Sequence, residues 1–139
     1  MELTRLYPDD ELHAAIASQI ASDWGKIGVK ADIEGVPYDS LVNDRLESRK
    51  YDAAIVDINL TQSPDPDPYP FWHQSEITGG QNYSQWDNRS ASEFIEQARV
   101  TTDPELRKRL YRTFQVVFEK ELPSLPLFFP VYSFGVDQQ

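Results

Sequence analysis

The 139-residue chain contains no cysteine, a single methionine and no apolar run long enough to cross a bilayer. The missing cysteines exclude structural disulfides, thiolate zinc sites and cysteine nucleophiles. The short apolar runs exclude a membrane-spanning helix within this sequence, and no signal peptide opens it. Met1 lies almost directly before a strand-like segment, so we expect a fragment whose targeting sequence lies elsewhere.

Positive charge is also scarce. Lysine and arginine total 13 against 23 aspartates and glutamates, which gives a formal net charge of −10. Nucleic-acid backbones and anionic membranes both select basic surfaces, so neither is expected as a partner. Hydrophobic residues make up 40% of the chain and charged residues 26%, a composition typical of one globular domain.

Motifs for catalysis and cofactor binding are absent as well. The sequence has no GxSxG, no Walker loop and no GxGxxG. His13 and His73 belong to no ligand motif, and we expect each to be a surface or loop residue rather than a metal ligand. We therefore predict a protein that is not an enzyme, with no catalytic residue, no metal and no cofactor.

The first half of the chain alternates between strand-like and helix-like segments. Residues 3–7 form a weak strand, and an apolar stripe at helical spacing follows. That stripe consists of Leu12, Ile16, Ile20 and Trp24, extended by Ala17 and Ile27. Gly25 and Gly28 are its expected stop signals. Alternation over 29–34 predicts a strand with one buried face, and the nearly all-apolar residues 53–58 predict a strand covered on both faces.

Between these two strands, residues 38–46 carry a shorter helical stripe. The order strand, helix, strand, helix, strand predicts an α/β fold with a mostly parallel sheet and helices on both faces. In such sheets ligands bind beyond the carboxyl ends of the strands. Here those ends fall at residues 7–9, 35–38 and 57–61.

The second half contains a proline-rich loop and a well-marked helix. Four prolines within residues 63–70 predict an extended loop, because proline disfavours both ladders and helix interiors. Asp87 or Asn88 is expected to cap one helix. Thr102-Asp103-Pro104-Glu105 begins another. Its expected apolar face is Leu106, Leu110, Phe114, Val117, Phe118 and Leu122. The apolar residues 125–134 predict an edge or crossing strand.

Several segments resemble one protein family. Residues 101–128, TTDPELRKRLYRTFQVVFEKELPSLPLF, carry an Arg before Leu-Tyr, a later Gln and a Pro-Leu pair. The IGVKADIE segment, the Tyr51-Asp52 pair at the head of a strand and a downstream Asp-Pro, at either 65–66 or 67–68, also fit. Together these segments resemble the extracellular solute-binding proteins of ABC importers in family 5, the oligopeptide, dipeptide and nickel group. Two positions depart from the family's pattern. Arg89 stands where the family has a proline, and Ser92 stands where it has an aspartate.

The resemblance implies a periplasmic-binding-protein-like lobe. Residues 1–139 would form a single α/β lobe, the later part of the second lobe of a longer protein. The whole protein would be periplasmic or extracellular and membrane-associated through its transporter. It would close on a small solute such as a peptide and deliver it to an ABC permease. Peptides, metal chelates, sugars and opine-like ligands all fall within this range.

The resemblance also implies where ligand would bind. In peptide-binding relatives the segment after the Tyr-Asp strand borders the cleft, and an acid there holds the ligand's amino group. Thr61 stands roughly where that acid is expected, and Asp65 and Asp67 follow it. Phe71 and Trp86 are more readily core residues beneath the loop. The ligand-binding candidates are Asp57, Asn59, Leu60, Thr61, Asp65, Asp67, Tyr69, Trp72 and Tyr83.

Two other classes of function stay open at this point. One is a protein-interaction or signalling domain that reuses a binding-protein lobe, which an exposed apolar patch and self-association would favour. The other is a small α/β hydrolase, which would need a concave pocket with a nucleophile beside an acid or a histidine.

Overall fold

The computed structural model describes residues 2–60, 65, 67–131 and 135. Its core is a three-stranded parallel sheet, formed by β1 (Glu2–Pro8), β2 (Lys30–Val36) and β3 (Ala53–Ala54) in the order β2-β1-β3. The predicted α/β class with a parallel sheet is therefore confirmed. The third strand is shorter than the predicted residues 53–58. Beyond its ladder, the Ile55 N–H still donates to the Leu6 carbonyl at 2.9 Å.

Helices cover both faces of the sheet. Arg5 and Leu6 are neighbours on β1, so their side chains point to opposite faces. Arg5 donates to the Ala17 carbonyl of helix α1 (Glu11–Lys26). Leu6 is fully buried on the other face, in a cluster with Val36, Leu41 and Leu46. Two of these residues belong to the segment after β2, where α2 (Tyr38–Ser40) continues as a π-helix (Leu41–Leu46).

The stripe predicted for α1 is only partly correct. Ala17 is buried, but Leu12 and Ile27 are 56% and 76% exposed. Gly25 lies inside the helix, whereas Gly28 follows it with φ of +81°, a conformation that glycine adopts without a Cβ penalty. The helix thus contacts the sheet through a narrower face than its apolar spacing predicts.

A second group of helices follows the loop. It comprises α3 (Tyr69–Trp72), a 3₁₀ turn (Gln74–Glu76), α4 (Arg89–Val100) and α5 (Pro104–Glu121). Asn88 caps α4 by accepting from the Ala91 N–H at 2.9 Å. Asp103 caps α5 as predicted, accepting from the N–H groups of Glu105 and Leu106. Where a strand was predicted over 125–134, no strand occurs among the described residues 125–131; residues 132–134 lie outside the description.

These helices share a second core cluster. Its buried members are Trp86, Ala91, Ile95 and Phe114. The prediction of Trp86 as a core residue beneath the loop agrees with this position. The ends of the predicted α5 stripe do not join the core: Leu106 is 37% exposed, and Leu122 is 60% exposed beyond the helix end. None of the described helices is long and apolar enough to cross a membrane.

A carboxylate at the end of α5 closes this second core. Glu121 accepts from the Trp86 indole N–H at 2.7 Å and from the Asn88 side-chain amide at 2.8 Å. These hydrogen bonds lower the pKa of Glu121, the one from Trp86 most strongly. A carboxylate with a lowered folded-state pKa contributes stability above its unfolded pKa, about 4.3, and loses it as the pH falls through the folded value.

Replacing Glu121 by glutamine is therefore expected to make the free energy of unfolding fall less steeply as the pH is lowered. Urea unfolding followed by tryptophan fluorescence at pH 7 and pH 3 measures this, because glutamine does not titrate. Glu119→Gln, an exposed change on the same helix, serves as the matched control. If both variants lose stability in acid as steeply as the unchanged chain, the contact does not contribute as described.

Candidate functional site

A pocket of about 190 Å³ opens at the carboxyl ends of β2 and β3. Three segments form its walls: the helical segment after β2, the chain leaving β3, and residues 69–86, called the aromatic loop below. The lining residues in that order are Tyr38, Leu41, Val42, Leu46, Val56, Asp57, Ile58, Phe71, Gln81 and Tyr83. Parallel strands place their carboxyl ends at one edge, so the sheet topology brings these segments together.

The floor of the pocket is apolar and buried. Leu41 and Leu46 are 1% and 2% exposed and belong to the sheet core. They lie on the π-helix, where the Glu47 N–H donates to the Val42 carbonyl at 3.0 Å, five residues back. Such wider turns are frequent at functional sites. The floor suits an apolar group, because each buried methylene contributes about 0.8 kcal/mol.

Asp57 is the charged residue among the described residues that line the pocket. Its side chain is 61% exposed, and its Oδ1 lies 3.4 Å from Nε2 of His13. A carboxylate in this position can accept a charge-assisted hydrogen bond from an ammonium group. The pocket therefore combines an apolar floor with an acid at its rim.

Tyr83 forms the opposite wall and is held from two sides. The Tyr51 hydroxyl donates to the Tyr83 carbonyl at 2.6 Å, and the Arg49 guanidinium lies 5.0 Å from the Tyr83 ring centroid. Arg49 also donates to the carbonyls of Ile77 and Gly80, each at 2.9 Å. Burial raises the pKa of the Tyr83 hydroxyl, which therefore stays neutral at physiological pH. These contacts join the aromatic loop to the sheet.

Three of the predicted residues follow the pocket along the chain. Asn59 and Leu60 are exposed and come directly after Ile58, outside the pocket wall. Thr61, where the resemblance implies the amine-binding acid, lies outside the described residues, as do 62–64 and 66.

Asp65 and Asp67 are each paired with an arginine, one on α5 and the other on α4. Arg107 of α5 contacts Asp65, and Arg99 of α4 contacts Asp67 at 3.0 Å. Asp67 also accepts from the Tyr69 N–H at 3.1 Å. Each carboxylate thus already has a cationic partner within the lobe, which offsets its charge toward a ligand.

Tyr69 and Trp72 face the second core cluster. The Tyr69 ring stacks on His73 with centroids 4.0 Å apart, and Trp72 packs edge-on against Phe118 at 4.8 Å. Phe71, interpreted from the sequence as a core residue, lines the pocket instead. Of the nine predicted residues, the structure brings Asp57 and Tyr83 together at the pocket.

Each histidine was expected to be a surface or loop residue; both are buried, and His73 lies in the loop between α3 and the 3₁₀ turn. His73 is 3% exposed, with Nδ1 at 2.7 Å from the Ser75 hydroxyl and Nε2 at 2.9 Å from Glu96. His13 is 7% exposed in the first turn of α1. Among the described residues, no group of three histidine, cysteine or acidic side chains is placed to hold a metal ion.

The ligand-binding candidates named from the sequence left out several wall residues, among them Tyr38, Val56 and Gln81. Tyr38 carries a signal, since it comes directly after the carboxyl end of β2. Val56 and Gln81 carry none: their place in the wall depends on how the loop packs against the sheet.

Comparison with known proteins extends the description. No family model matches the chain. Di/tripeptide-binding protein 2 of Pseudomonas aeruginosa is 27% identical over 121 residues, covering 85% of this chain and 22% of that protein. Among solved structures, the oligopeptide-binding protein AppA of Bacillus subtilis, in complex with a nonapeptide, superposes with a TM-score of 0.79 and 22% identity. It covers 88% of this chain and 24% of AppA.

A third match is DppA of Helicobacter pylori, an ABC transporter-associated periplasmic binding protein in complex with the peptide STSA. It gives a TM-score of 0.77 at 21% identity, over 88% of this chain and 24% of that one. The chain is therefore similar, over most of its length, to di/tripeptide- and oligopeptide-binding proteins, and it shares their fold over the matched part. The relatives named above are peptide-binding proteins. The chain spans less than a quarter of their length.

Proposed function

We propose that the chain is one lobe of a longer, two-lobed solute-binding protein and lines one wall of the cleft between the lobes. The solute is a peptide, taken up through an ABC permease from the periplasm or the extracellular space. The observation that carries the proposal is the pocket at the carboxyl ends of β2 and β3, with its apolar floor and Asp57 at the rim. A free amino group and a neighbouring apolar side chain match these two features.

The mechanism follows from a cleft divided between two lobes. Ligand enters the open cleft, and contacts from both lobes favour the closed state that the permease recognises. A ligand shifts this equilibrium only by its differential affinity for the closed over the open state. The 190 Å³ pocket and one carboxylate supply part of those contacts, so the lobe alone binds weakly.

The exposed apolar residues after α5 support a second lobe. Phe129 and Val131 are each 89% exposed, and Leu125 is 69% exposed. Contact with another part of the same polypeptide would remove this apolar area from water. The same residues would serve the alternative of a protein-interaction domain, and self-association of the complete protein would favour that alternative.

A hydrolase is disfavoured by the pocket's chemistry. The described residues that line it include no serine, threonine, cysteine, lysine or histidine. A serine, threonine or cysteine nucleophile would have to lie within hydrogen-bond reach of a base. The relatives, as binding proteins, agree with this.

Titration with leucyl-alanine tests the proposal. In ¹H–¹⁵N spectra of the chain, the dipeptide is expected to shift amides around Val56, Ile58 and Tyr83, with a Kd on the order of 1 mM. N-acetyl-leucyl-alanine, which lacks the ammonium group, is the matched control and is expected to bind more weakly still.

The complete protein is expected to bind peptide at least about a hundredfold more tightly, because both walls then contribute. Mass spectrometry of ligand carried through its purification identifies the natural solute. Equal, tight affinity of the chain and the complete protein would contradict the divided cleft. Amide shifts confined to residues of α5 and absent from the pocket residues would contradict binding at the pocket.

A further inference from the structure

His13 connects the start of α1 to the rim of the pocket. Its Nδ1 lies 2.6 Å from Oδ2 of Asp10, and its Nε2 lies 3.4 Å from Oδ1 of Asp57. The ring is 7% exposed, so it stands between two carboxylates with little water around it.

The local sequence fixes this geometry. Asp10 is the N-cap of α1 and accepts from the His13 N–H at 3.0 Å, which holds His13 in the first helical turn. The strand before the cap, β1, is the neighbour of β3 in the sheet. The helix therefore begins beside the point where the chain leaves β3 and reaches Asp57.

The cap also orients the ring. Hydrogen bonds from His13, first from its backbone and then from its side chain, lower the pKa of Asp10, which is therefore a carboxylate. A carboxylate 2.6 Å from Nδ1 accepts a hydrogen bond from the Nδ1–H. The other ring nitrogen, Nε2, is the one that faces Asp57.

Charged side chains on the two strands that pack against α1 have partners of their own. On β1, Arg5 donates to the Ala17 carbonyl and lies over the Trp24 ring at 5.0 Å. On β2, Glu34 pairs with Arg45 at 2.6 Å. Among the described residues, Asp10 and Asp57 are the ionisable groups within 4.0 Å of the ring nitrogens.

We propose that His13 is a pH-dependent counter-ion of the pocket acid, and that it sets how strongly Asp57 attracts the ligand's amino group. A ring protonated at Nε2 lies within ion-pair distance of Asp57 and offsets its charge. A neutral ring turns a lone pair toward Asp57, which leaves the carboxylate to the ligand. Affinity for a cationic amine therefore rises as the pH rises through the titration of His13. This inference rests on the proposed function.

Binding of leucyl-alanine between pH 5 and 7 tests it, since a peptide amino group, with a pKa of about 7.7–8.0, stays mostly charged there. We expect the affinity to rise about tenfold over this interval, the size of effect that one unit charge several ångströms away exerts at a protein surface. His13→Asn keeps an amide donor toward Asp10 and removes the titrating nitrogen, and its affinity should not change with pH. Asp57→Asn should bind weakly at both values.

Imidazole ¹⁵N spectra of the chain without ligand give an independent measure. We expect Nε2 to be the nitrogen that loses its proton, and Asp57→Asn to shift that titration while leaving Nδ1 protonated. Titration at Nδ1, or no response to Asp57→Asn, overturns the inference.

The two proposals fail in different ways. If leucyl-alanine shifts no pocket amides at any pH, the proposed function fails and the inference falls with it. If leucyl-alanine binds at the pocket and His13→Asn retains the full pH dependence, the proposed function stands and the inference is wrong.

Discussion

Replacing Asn82 by alanine is expected to lower the free energy of unfolding by about 3–4 kcal/mol. Asn82 is fully buried in the aromatic loop. Its amide donates to the carbonyls of His73 and Trp86 at 3.1 and 3.0 Å, and its carbonyl accepts from the Trp86 N–H at 3.1 Å. Alanine would remove the Asn82 partner of the Trp86 N–H and of the Trp86 carbonyl, at a cost of about 1–3 kcal/mol each and not fully additive. The His73 carbonyl would keep the Glu76 N–H at 3.0 Å.

The loss should reach the pocket as well, because Tyr83 follows Asn82 directly. Urea unfolding measures the stability, and ¹H–¹⁵N spectra report whether Tyr83 keeps its place. Asn43→Ala, an exposed change on the π-helix, is the matched control and should stay within about 0.5 kcal/mol of the unchanged chain. A comparable, small loss in both variants would show that water readily replaces the Asn82 contacts.

Replacing Val42 by tryptophan should abolish peptide binding while the chain stays folded. Val42 lines the pocket from the π-helix and is half-buried against the sheet core. An indole at this position would occupy much of the 190 Å³ volume. Overpacking costs about 1–3 kcal/mol, less than the stability of a typical domain.

We expect the affinity for leucyl-alanine to fall at least tenfold, measured by the same titration of amide shifts. Val100→Trp places the same ring on α4, where residue 100 is 81% exposed, and should leave the affinity unchanged. Retained binding in the Val42 variant would locate the ligand elsewhere on the lobe.

Much of the secondary structure could be predicted because its signals are local. The α5 start is an example: Asp103 and Pro104 are a capping residue and a first-turn proline, and each acts within one helical turn. The alternation of strands and helices likewise predicted the parallel sheet. The extent of burial was harder to predict, since Leu12 has the spacing of a core residue and yet is 56% exposed.

The site was predicted less completely than the fold. Asp57 and Tyr83 were named from the sequence and meet at the pocket. Asp65 and Asp67 were named on the same grounds, but each has an arginine partner 32 or more residues away along the chain. An acid that carries a partner and one that faces a ligand look alike in a sequence, because the difference depends on which distant side chain folds against it.

The sequence by itself indicated the class of this protein: an acidic, cysteine-free α/β chain whose segments resemble, in their order, those of the family 5 solute-binding proteins. Composition, the spacing of apolar residues and helix capping depend on residues that are close together in the chain, so they can be recognised in the sequence. Only the tertiary structure decided that His13 is buried between Asp10 and Asp57. That arrangement exists because β1 and β3 are neighbours in the sheet, which brings together residues 44 positions apart in the chain.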